Sequence, residues 1–339
     1  MPASSSPALT PAPRSGATTA LLFLLALVAG LAMPVQGRVN SALSLAVGSP
    51  ALAACASFAT GLAVLVLATL LLPSGRRGAA RIPAAVRNGD VRWWQLLAGT
   101  IGAAFVLTQA WTIPLIGVAV FTVAVVTGQM LGGMLWDRLG WTPAGVQRIS
   151  RRRLFGALLA FCAVTAVVWP RLQESGSPGA WLALAVLPLA AGVATSGQQA
   201  MNGHQTAHFG TPLPPTLVNF AAGTAVLAAA TAVAAGTGAG MGPLPAAWWM
   251  YLGGPLGTVF VGLGAFLIPR VGAFLTTLGM VAGQLVGSLL LDVVAPAPGA
   301  QVTWLTVVGT LGALAAMVVA SSPQVPAGLR ASRRRARRG

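Results

Sequence analysis

The sequence predicts an all-α integral membrane protein of ten transmembrane helices, arranged as two inverted five-helix repeats (5+5). Three observations predict this class: the composition, an internal repeat, and the distribution of arginine along the chain. Hydrophobic residues make up 56% and charged residues 7% of the 339 positions, whereas a soluble domain carries about 25% charged residues. The chain therefore lacks the polar residues that would cover a water-exposed surface.

The internal repeat is visible at two offsets. At an offset of 162 residues, the matching positions are Gly30, Gln36, Asn40, Gly48, Pro50, Phe58 and Gly61 with Gly192, Gln198, Asn202, Gly210, Pro212, Phe220 and Gly223. At an offset of 155 residues, they are Trp93, Trp94, Gly99, Gly102, Pro114, Gly117, Gly128, Gln129, Gly132 and Asp137 with Trp248, Trp249, Gly254, Gly257, Pro269, Gly272, Gly283, Gln284, Gly287 and Asp292. Because each copy holds an odd number of spans, the second copy is expected to enter the membrane upside down.

Ten apolar spans follow one another between two polar tails. They lie near residues 17–36, 51–72, 93–112, 115–136, 154–170, 180–199, 214–236, 248–267, 271–291 and 302–321. Most approach the ~20 residues that cross a hydrocarbon layer of about 30 Å. Residues 1–16 are predicted to form a disordered cytoplasmic tail, and residues 322–339 an Arg-rich cytoplasmic tail. The first repeat is assigned to residues 17–172 and the second, inverted repeat to residues 173–321.

Arginine marks the predicted cytoplasmic side. All 20 basic residues are Arg, and with the N-terminus inside only Arg38 and Arg171 fall on the outer side. The linkers 73–92 and 137–153 each hold five Arg, whereas their copies at 237–247 and 292–301 hold none. Since Lys and Arg are enriched in cytoplasmic loops, both termini are predicted to be cytoplasmic. The formal charge of +16 thus reflects topology, and no nucleic-acid partner is predicted.

Two amide pairs are candidates for polar contacts within the membrane. Gln36 and Asn40 lie four residues apart, on one helix face, at the predicted end of the first span. Gln198 and Asn202 repeat this pair in the sixth span. An amide facing hydrocarbon is unfavourable, so these side chains are expected to face protein or a cavity. Two roles stay open, a hydrogen bond between helices or a polar lining of a substrate path.

A second amide recurs within a glycine pair. Gln129 lies between Gly128 and Gly132 in the fourth span. The ninth span repeats this pattern with Gln284, Gly283 and Gly287. Glycines at this spacing favour close helix packing, which is the role expected of all four. The two glutamines are harder to explain by packing and are predicted to contact a substrate.

Other site chemistries find little support in the sequence. Asp137 and Asp292 end the fourth and ninth spans, as solvated ends or as partners of Arg, and no span carries a carboxylate at mid-depth. His204 and His208 have a zinc-compatible spacing, but a site needs further ligands and none is near. No phosphate-binding loop, nucleophile elbow or paired catalytic carboxylates occur. We therefore predict no metal site, no cofactor and no enzymatic activity.

The repeated Gly30, Gln36, Asn40, Gly48, Pro50, Phe58 and Gly61 pattern resembles the YdcZ-type branch of the drug/metabolite transporter superfamily. The resemblance covers about residues 18–321 and implies a fused pair of five-helix units around a central substrate path. It implies movement of metabolites or drugs, often outward, across the bacterial inner membrane. The embedded Glu of the small multidrug branch is missing from the first span, which argues against antiport of cationic drugs.

These observations lead to a predicted secondary transporter, an exporter of a small metabolite or drug-like solute that works by alternating access. Its substrate path is assigned to the amides of the first, fourth, sixth and ninth spans: Gln36, Asn40, Gln129, Gln198, Asn202 and Gln284. The alternative is a non-transporting membrane scaffold or regulatory partner, in which the amides serve packing. In that case the C-terminal Arg tail would bind anionic lipid or a cytoplasmic partner. A homodimer is left open.

Overall fold

The computed structural model describes residues 16–140, 146, 149–174, 178–238 and 240–321. Within these ranges the protein consists of ten α-helices and two short 3-10 helices, with no strand. The predicted all-α class is therefore confirmed. The predicted tails at residues 1–15 and 322–339 lie outside the described residues.

The α-helices are, in chain order, α1 (Gly16–Val47), α2 (Pro50–Leu71), α3 (Pro73–Arg87), α4 (Gly99–Ile116), α5 (Val118–Leu139), α6 (Arg151–Glu174), α7 (Pro178–Phe209), α8 (Leu213–Gly236), α9 (Gly253–Val294) and α10 (Trp304–Ser321). The 3-10 helices, Trp93–Ala98 and Trp248–Tyr251, precede α4 and α9. Local signals set several starts. Pro50 occupies the first turn of α2, and the Ser49 hydroxyl accepts a hydrogen bond from Leu52 N–H at 3.3 Å.

The helices have the length and surface of a multi-pass membrane protein. Among the described residues, eight helical segments are long and apolar enough to cross a membrane, and two shorter apolar segments are Gly253–Ile268 and Trp304–Ala320. Large apolar side chains are exposed on many helices, for example Leu67, Phe155 and Leu290. Such a surface is unfavourable in water and suits contact with lipid acyl chains.

Two predicted boundaries are wrong. Gln36 and Asn40 do not end a helix, because α1 continues to Val47. The turn between the third and fourth spans does not lie at residues 113–114, because Pro114 lies in the last turn of α4. The chain instead reverses at Gly117, whose φ of +84° is a conformation that glycine adopts readily. Hydropathy marks where a helix leaves the hydrocarbon layer, whereas backbone hydrogen bonding marks where it ends.

A further helix, α3, occupies the basic linker after α2. Its Gly75 and Gly78 are buried against α2 and the start of α8, while Arg76, Arg77 and Arg81 are exposed. Pro73 at its first position is a helix-start signal that the sequence interpretation did not use. The linker is therefore an amphipathic surface helix.

Helix α9 contains the eighth and ninth predicted spans and packs along α1 in both directions. The neighbouring positions are Gly253 with Asn40, Gly257 with Gln36, Gly279 with Ala26, and Gly287 with Leu31. Segment 253–268 is therefore antiparallel to α1, whereas segment 275–294 is parallel to it. Because the two segments run in opposite directions along one helix, α9 reverses between them.

The two halves of the chain interlock through matching contacts. Segment 275–294 packs parallel to α1, and Gly283 meets Gly30. In the same way α5 packs parallel to α7, and Gly128 meets Gly192.

The matching contacts continue at the centre of the molecule. There the rings of Phe58 and Phe220 stack with centroids 4.8 Å apart. Gly223 lies against the first ring and Gly61 against the second. The two halves therefore contribute matching residues to this contact.

Candidate functional site

A chamber of about 160 Å³ lies between the two halves. We call it the central chamber. Its amides are Gln36, Gln129, Gln198, Gln199, Asn202 and Asn219, its hydroxyls are Thr195 and Thr216, and its aromatic rings are Phe58, Phe105, Phe220 and Phe260. Helices α1, α2, α4, α5, α7, α8 and α9 all contribute to this lining. The chamber therefore combines apolar rings with carboxamides, as small-molecule sites do.

A second, wider cavity of about 590 Å³ adjoins the chamber. We call it the vestibule. It is lined by segments of α5, α7, α9 and α10, and by Arg153 at the start of α6. Gln129 and Gln199 line both cavities, so they mark the passage between them. Asp137 and Arg153 also line the vestibule and form an ion pair of 2.7 Å. This pair confirms the expectation that Asp137 is a partner of Arg.

Gln36 and Gln198 face the chamber without a hydrogen bond to any described residue. Gln36 is only 5% exposed, and its Oε1 has no partner. A glycine from the other half lies opposite each amide: Gly257 opposite Gln36, and Gly102 opposite Gln198. A Cβ added at these glycines would lie 3.2 Å from Gln36 Oε1 and 3.1 Å from Gln198 Nε2. The two glycines thus leave room for the carboxamides.

The two asparagines differ from the glutamines, since both bond to protein. Asn40 is fully buried, and its Nδ2 donates to Gln109 Oε1 on α4 at 3.0 Å. Asn202 accepts at Oδ1 from Asn219 Nδ2 on α8 at 2.7 Å. Asn40 is not among the residues that line either cavity, whereas Asn202 lines the chamber. Of the two roles left open, the helix–helix bond fits the asparagines and the cavity lining fits the glutamines.

The second pair of glutamines is placed unequally. Gln129 is half-buried and lines both cavities. Its copy Gln284 is 4% exposed and lines neither of them. The repeat therefore holds one glutamine facing open space and one enclosed by protein.

The four glycines beside these glutamines lie at helix contacts. A Cβ at Gly128 would overlap the Leu189 carbonyl oxygen, and one at Gly283 would overlap that of Leu27. Gly132 lies against α7, and Gly287 against α1. This geometry is what close packing of α5 on α7 and of α9 on α1 requires.

Asp292 lies at the end of the molecule opposite the vestibule, where it joins α9 to the start of α5. Its Oδ1 accepts from Val118 N–H at 3.0 Å and its Oδ2 from Ala119 N–H at 2.7 Å, which caps the first turn of α5. Nearby, Arg38 Nε donates to the Ala295 carbonyl at 3.1 Å. Asp292 is 4% exposed. The expectation of a solvated Asp292 is therefore wrong, because a helix N-terminus supplies the donors that water would otherwise supply.

The two histidines are engaged by the backbone. His204 Nε2 lies 2.9 Å from the Asp90 carbonyl oxygen, and His208 Nδ1 lies 2.9 Å from the carbonyl oxygen of His204. In the described part of the chain, no group of three or more His, Cys, Asp or Glu side chains is placed to hold a metal ion.

Several chamber residues were missed by sequence reasoning. Asn219, Gln199 and Thr216 line the chamber, and Gln109 holds Asn40. None of them has a matching residue in the other half, so the repeat gave no signal for them. Asn219 could have been found as an amide inside an apolar span, since such an amide must face protein or a cavity.

Comparison with known proteins gives a family match over most of the chain. A family model described as "Putative inner membrane exporter, YdcZ" matches residues 21–166 and again residues 183–319. A solved structure described as "Crystal structure of protein" has a TM-score of 0.52 and 18% sequence identity. It covers 90% of this chain and 97% of that chain. At this identity the likeness concerns the fold alone. The comparison with curated proteins gives no match.

Proposed function

This chain belongs to the YdcZ family of inner membrane exporters, as a fused pair of units, and from that premise we propose a secondary transporter that works by alternating access. It moves a small metabolite or drug-like solute, in the outward direction, across the bacterial inner membrane. The substrate path runs through the vestibule and the central chamber. Gln36, Gln129 and Gln198 are its polar contacts in the state described, and Gln284 joins them in the opposite state.

The observation that carries the proposal is the row of unpaired carboxamides in the central chamber. Gln36, Gln129 and Gln198 make no side-chain hydrogen bond to described residues, although all three lie within membrane-spanning helices. An unpaired amide away from water is costly to the folded protein, and Gln36 Oε1 is in this position, since Gln36 is only 5% exposed. Its presence in a cavity that opens to one side is what a solute-binding site requires. A scaffold whose amides serve packing would bond them to neighbouring helices.

We propose two inverted repeats of five helices, meeting near residue 172, and the directions of the packed helices support this arrangement and the alternating-access mechanism. Segment 275–294 runs parallel to α1, and α5 runs parallel to α7. At one end Val118 of α5 meets Asp292 of α9, while the vestibule brings residues 126–137 together with Thr277 and Val281. Helix α5 therefore runs opposite to segment 275–294, and by the same relation α7 runs opposite to α1. Inverted repeats are related by a pseudo-two-fold axis in the membrane plane, so the outward-open and inward-open states can be related by the same rotation.

We infer that the described state is open to the cytoplasm. The vestibule lies beside Arg138 and the Arg-rich start of α6, and such segments favour the cytoplasmic side. On the opposite side Asp292 is held by the first turn of α5, and Gln284 is enclosed. Both termini are then cytoplasmic. The exposed arginines of α3 suit contact with anionic lipid headgroups, a partner also predicted for the C-terminal Arg tail.

The test is solute flux into proteoliposomes that contain the purified chain. The double variant Gln129→Ala, Gln284→Ala removes the pair that alternates, and we expect it to abolish transport while the protein still inserts. Gln301→Ala is the matched control, because Gln301 is exposed and follows α9. Normal flux in the double variant would overturn the site assignment, and absence of flux for every solute would favour the scaffold.

A further inference from the structure

We infer, resting on the proposed function, that the central chamber takes an uncharged, planar solute that both donates and accepts hydrogen bonds. The inference concerns the class of substrate, which neither the family match nor the fold specifies. Three features of the chamber carry it: the absence of charge in the described lining, the unpaired amide oxygens, and the aromatic rings.

Charge is the first feature. None of the described residues that line the central chamber is Asp, Glu, Arg, Lys or His. The ionisable residues nearest along the path are Asp137 and Arg153 in the vestibule, and these neutralise each other. A charged solute entering the chamber would lose its hydration without gaining a counter-ion, which is strongly unfavourable. An uncharged solute meets no such barrier.

Hydrogen bonding is the second feature. Gln36 Oε1 and Asn219 Oδ1 have no partner, and each residue is 5% exposed. Both atoms are acceptors as assigned, so a solute that satisfies them carries N–H or O–H donors. The carboxamides of Gln198 and Gln129 present donors as well. A solute with donors on one edge and acceptors on another would replace the hydrogen bonds that the protein does not supply.

The aromatic rings are the third feature. Phe58 and Phe220, one from each half, stack on one another and line the chamber together with Phe105 and Phe260. Aromatic rings favour flat partners in offset-stacked or edge-to-face contact. The volume of about 160 Å³ limits the solute to a small ring system with few substituents.

Three probes of one shape and different charge test the inference. Nicotinamide is planar, uncharged and carries an amide; nicotinate is its anionic analogue, and 1-methylnicotinamide its cationic one. Uptake of each radiolabelled probe is measured in proteoliposomes, and binding to the purified full chain is measured by thermal shift. We expect nicotinamide to bind, and to be taken up at least about tenfold faster than either charged probe. A tenfold difference in rate is about what one buried polar group without a partner would cause.

The outcomes separate the substrate class from the transport function. Uptake of a charged probe at the nicotinamide rate or faster would overturn the substrate class and leave transport standing. Selective binding of nicotinamide without uptake would support the substrate class and count against transport. If nicotinamide is neither bound nor taken up, the inference is contradicted.

A charge introduced into the chamber gives a second, independent readout. Gln129→Glu keeps the side-chain shape at a half-buried position where solvent reaches from the vestibule. We expect the preference to shift about tenfold or more from nicotinamide toward 1-methylnicotinamide, because the new carboxylate attracts a cation. Gln301→Glu places the same change on the exposed surface and should leave the preference unaltered. An unchanged preference in Gln129→Glu would contradict the proposed contact.

Discussion

At the scale of single residues, the contact between the two halves depends on glycine. At Gly128 an added methyl group would overlap a backbone oxygen of α7, which cannot rotate away as a side chain can. We expect Gly128→Ala to destabilise the protein by about 1–3 kcal/mol or more, seen as a lower unfolding temperature in detergent and a lower yield of monodisperse protein. Gly133→Ala is the control, because nothing lies within 4 Å of the added Cβ there. Equal stability of the two variants would contradict close packing at Gly128.

The different roles of Asn40, a bond between helices, and Gln36, a contact in the chamber, are testable by the same kind of comparison. Asn40→Ala leaves the buried carboxamide of Gln109 without its partner, which should cost about 1–3 kcal/mol of stability. Gln36→Ala removes an amide that bonds to no described residue, so stability should change little while solute flux falls. Unfolding temperature and proteoliposome flux, measured on both variants, give the two readouts. A stability loss in Gln36→Ala with normal flux would reverse the assignment.

At the scale of elements, the cap of Asp292 on α5 is the contact that closes one end of the molecule. Loss of a capping carboxylate costs about 0.5–2 kcal/mol, so Asp292→Ala should shift the population toward opening at that end. The readout is labelling of Ser288→Cys, one turn from Asp292 and fully buried, in a chain whose Cys55 and Cys162 are replaced by Ala. An impermeant maleimide applied from outside should label this cysteine faster in Asp292→Ala.

The repeat supplies a matched control for this experiment. Asp137 is the copy of Asp292 but pairs with Arg153 in the vestibule, so Asp137→Ala should leave labelling at position 288 unchanged. Equal acceleration by both variants would mean that the label reports general loosening. No acceleration by Asp292→Ala would show that the cap does not hold the outer end closed.

The sequence predicted the elements better than the way they join. Apolar length and the doubled pattern located nearly all the spans, because burial in lipid leaves a strong compositional signal. The turns after the third and eighth spans were predicted, but their exact positions, such as the reversal at Gly117, were not, since these are set by backbone conformation over a few residues. Helix α3 was missed because a basic linker gives the same charge signal whether or not it is helical.

At the scale of the site, the repeat identified the amides but not their partners. Gln36 and Gln198 were found because they recur, and the chamber contains both. The partners of the asparagines, Gln109 and Asn219, come from different helices in the two halves. Because these partners do not occupy matching positions, the repeat could not show which amides bond to a neighbouring helix and which face the chamber.

At the scale of the whole molecule, each half completes the other. In each half a glycine faces an amide of the other half, Gly257 facing Gln36 and Gly102 facing Gln198. The stacked rings of Phe58 and Phe220 likewise come one from each half. Contacts of this kind, in which matching surfaces exchange places, are what a two-fold relation between units produces. A single half would leave its glycines and rings without partners, so we expect neither half to transport alone.

The proposed inverted relation between the halves makes a prediction that involves no solute. Ala80 in α3 and Gly240 before the second 3-10 helix occupy matching linkers, and only the first linker is rich in Arg. Antiparallel insertion places these two positions on opposite sides of the membrane. Alkaline phosphatase fused after residue 240 should therefore be active and a fusion after residue 80 inactive, with the reverse pattern for a fluorescent protein that folds only in the cytoplasm. A fusion after Val146, in the second Arg-rich linker, should behave like the one at Ala80. If the reporters at 80 and 240 lay in one compartment, the repeats would be parallel and the two-fold-related states of the proposed cycle would have no structural basis.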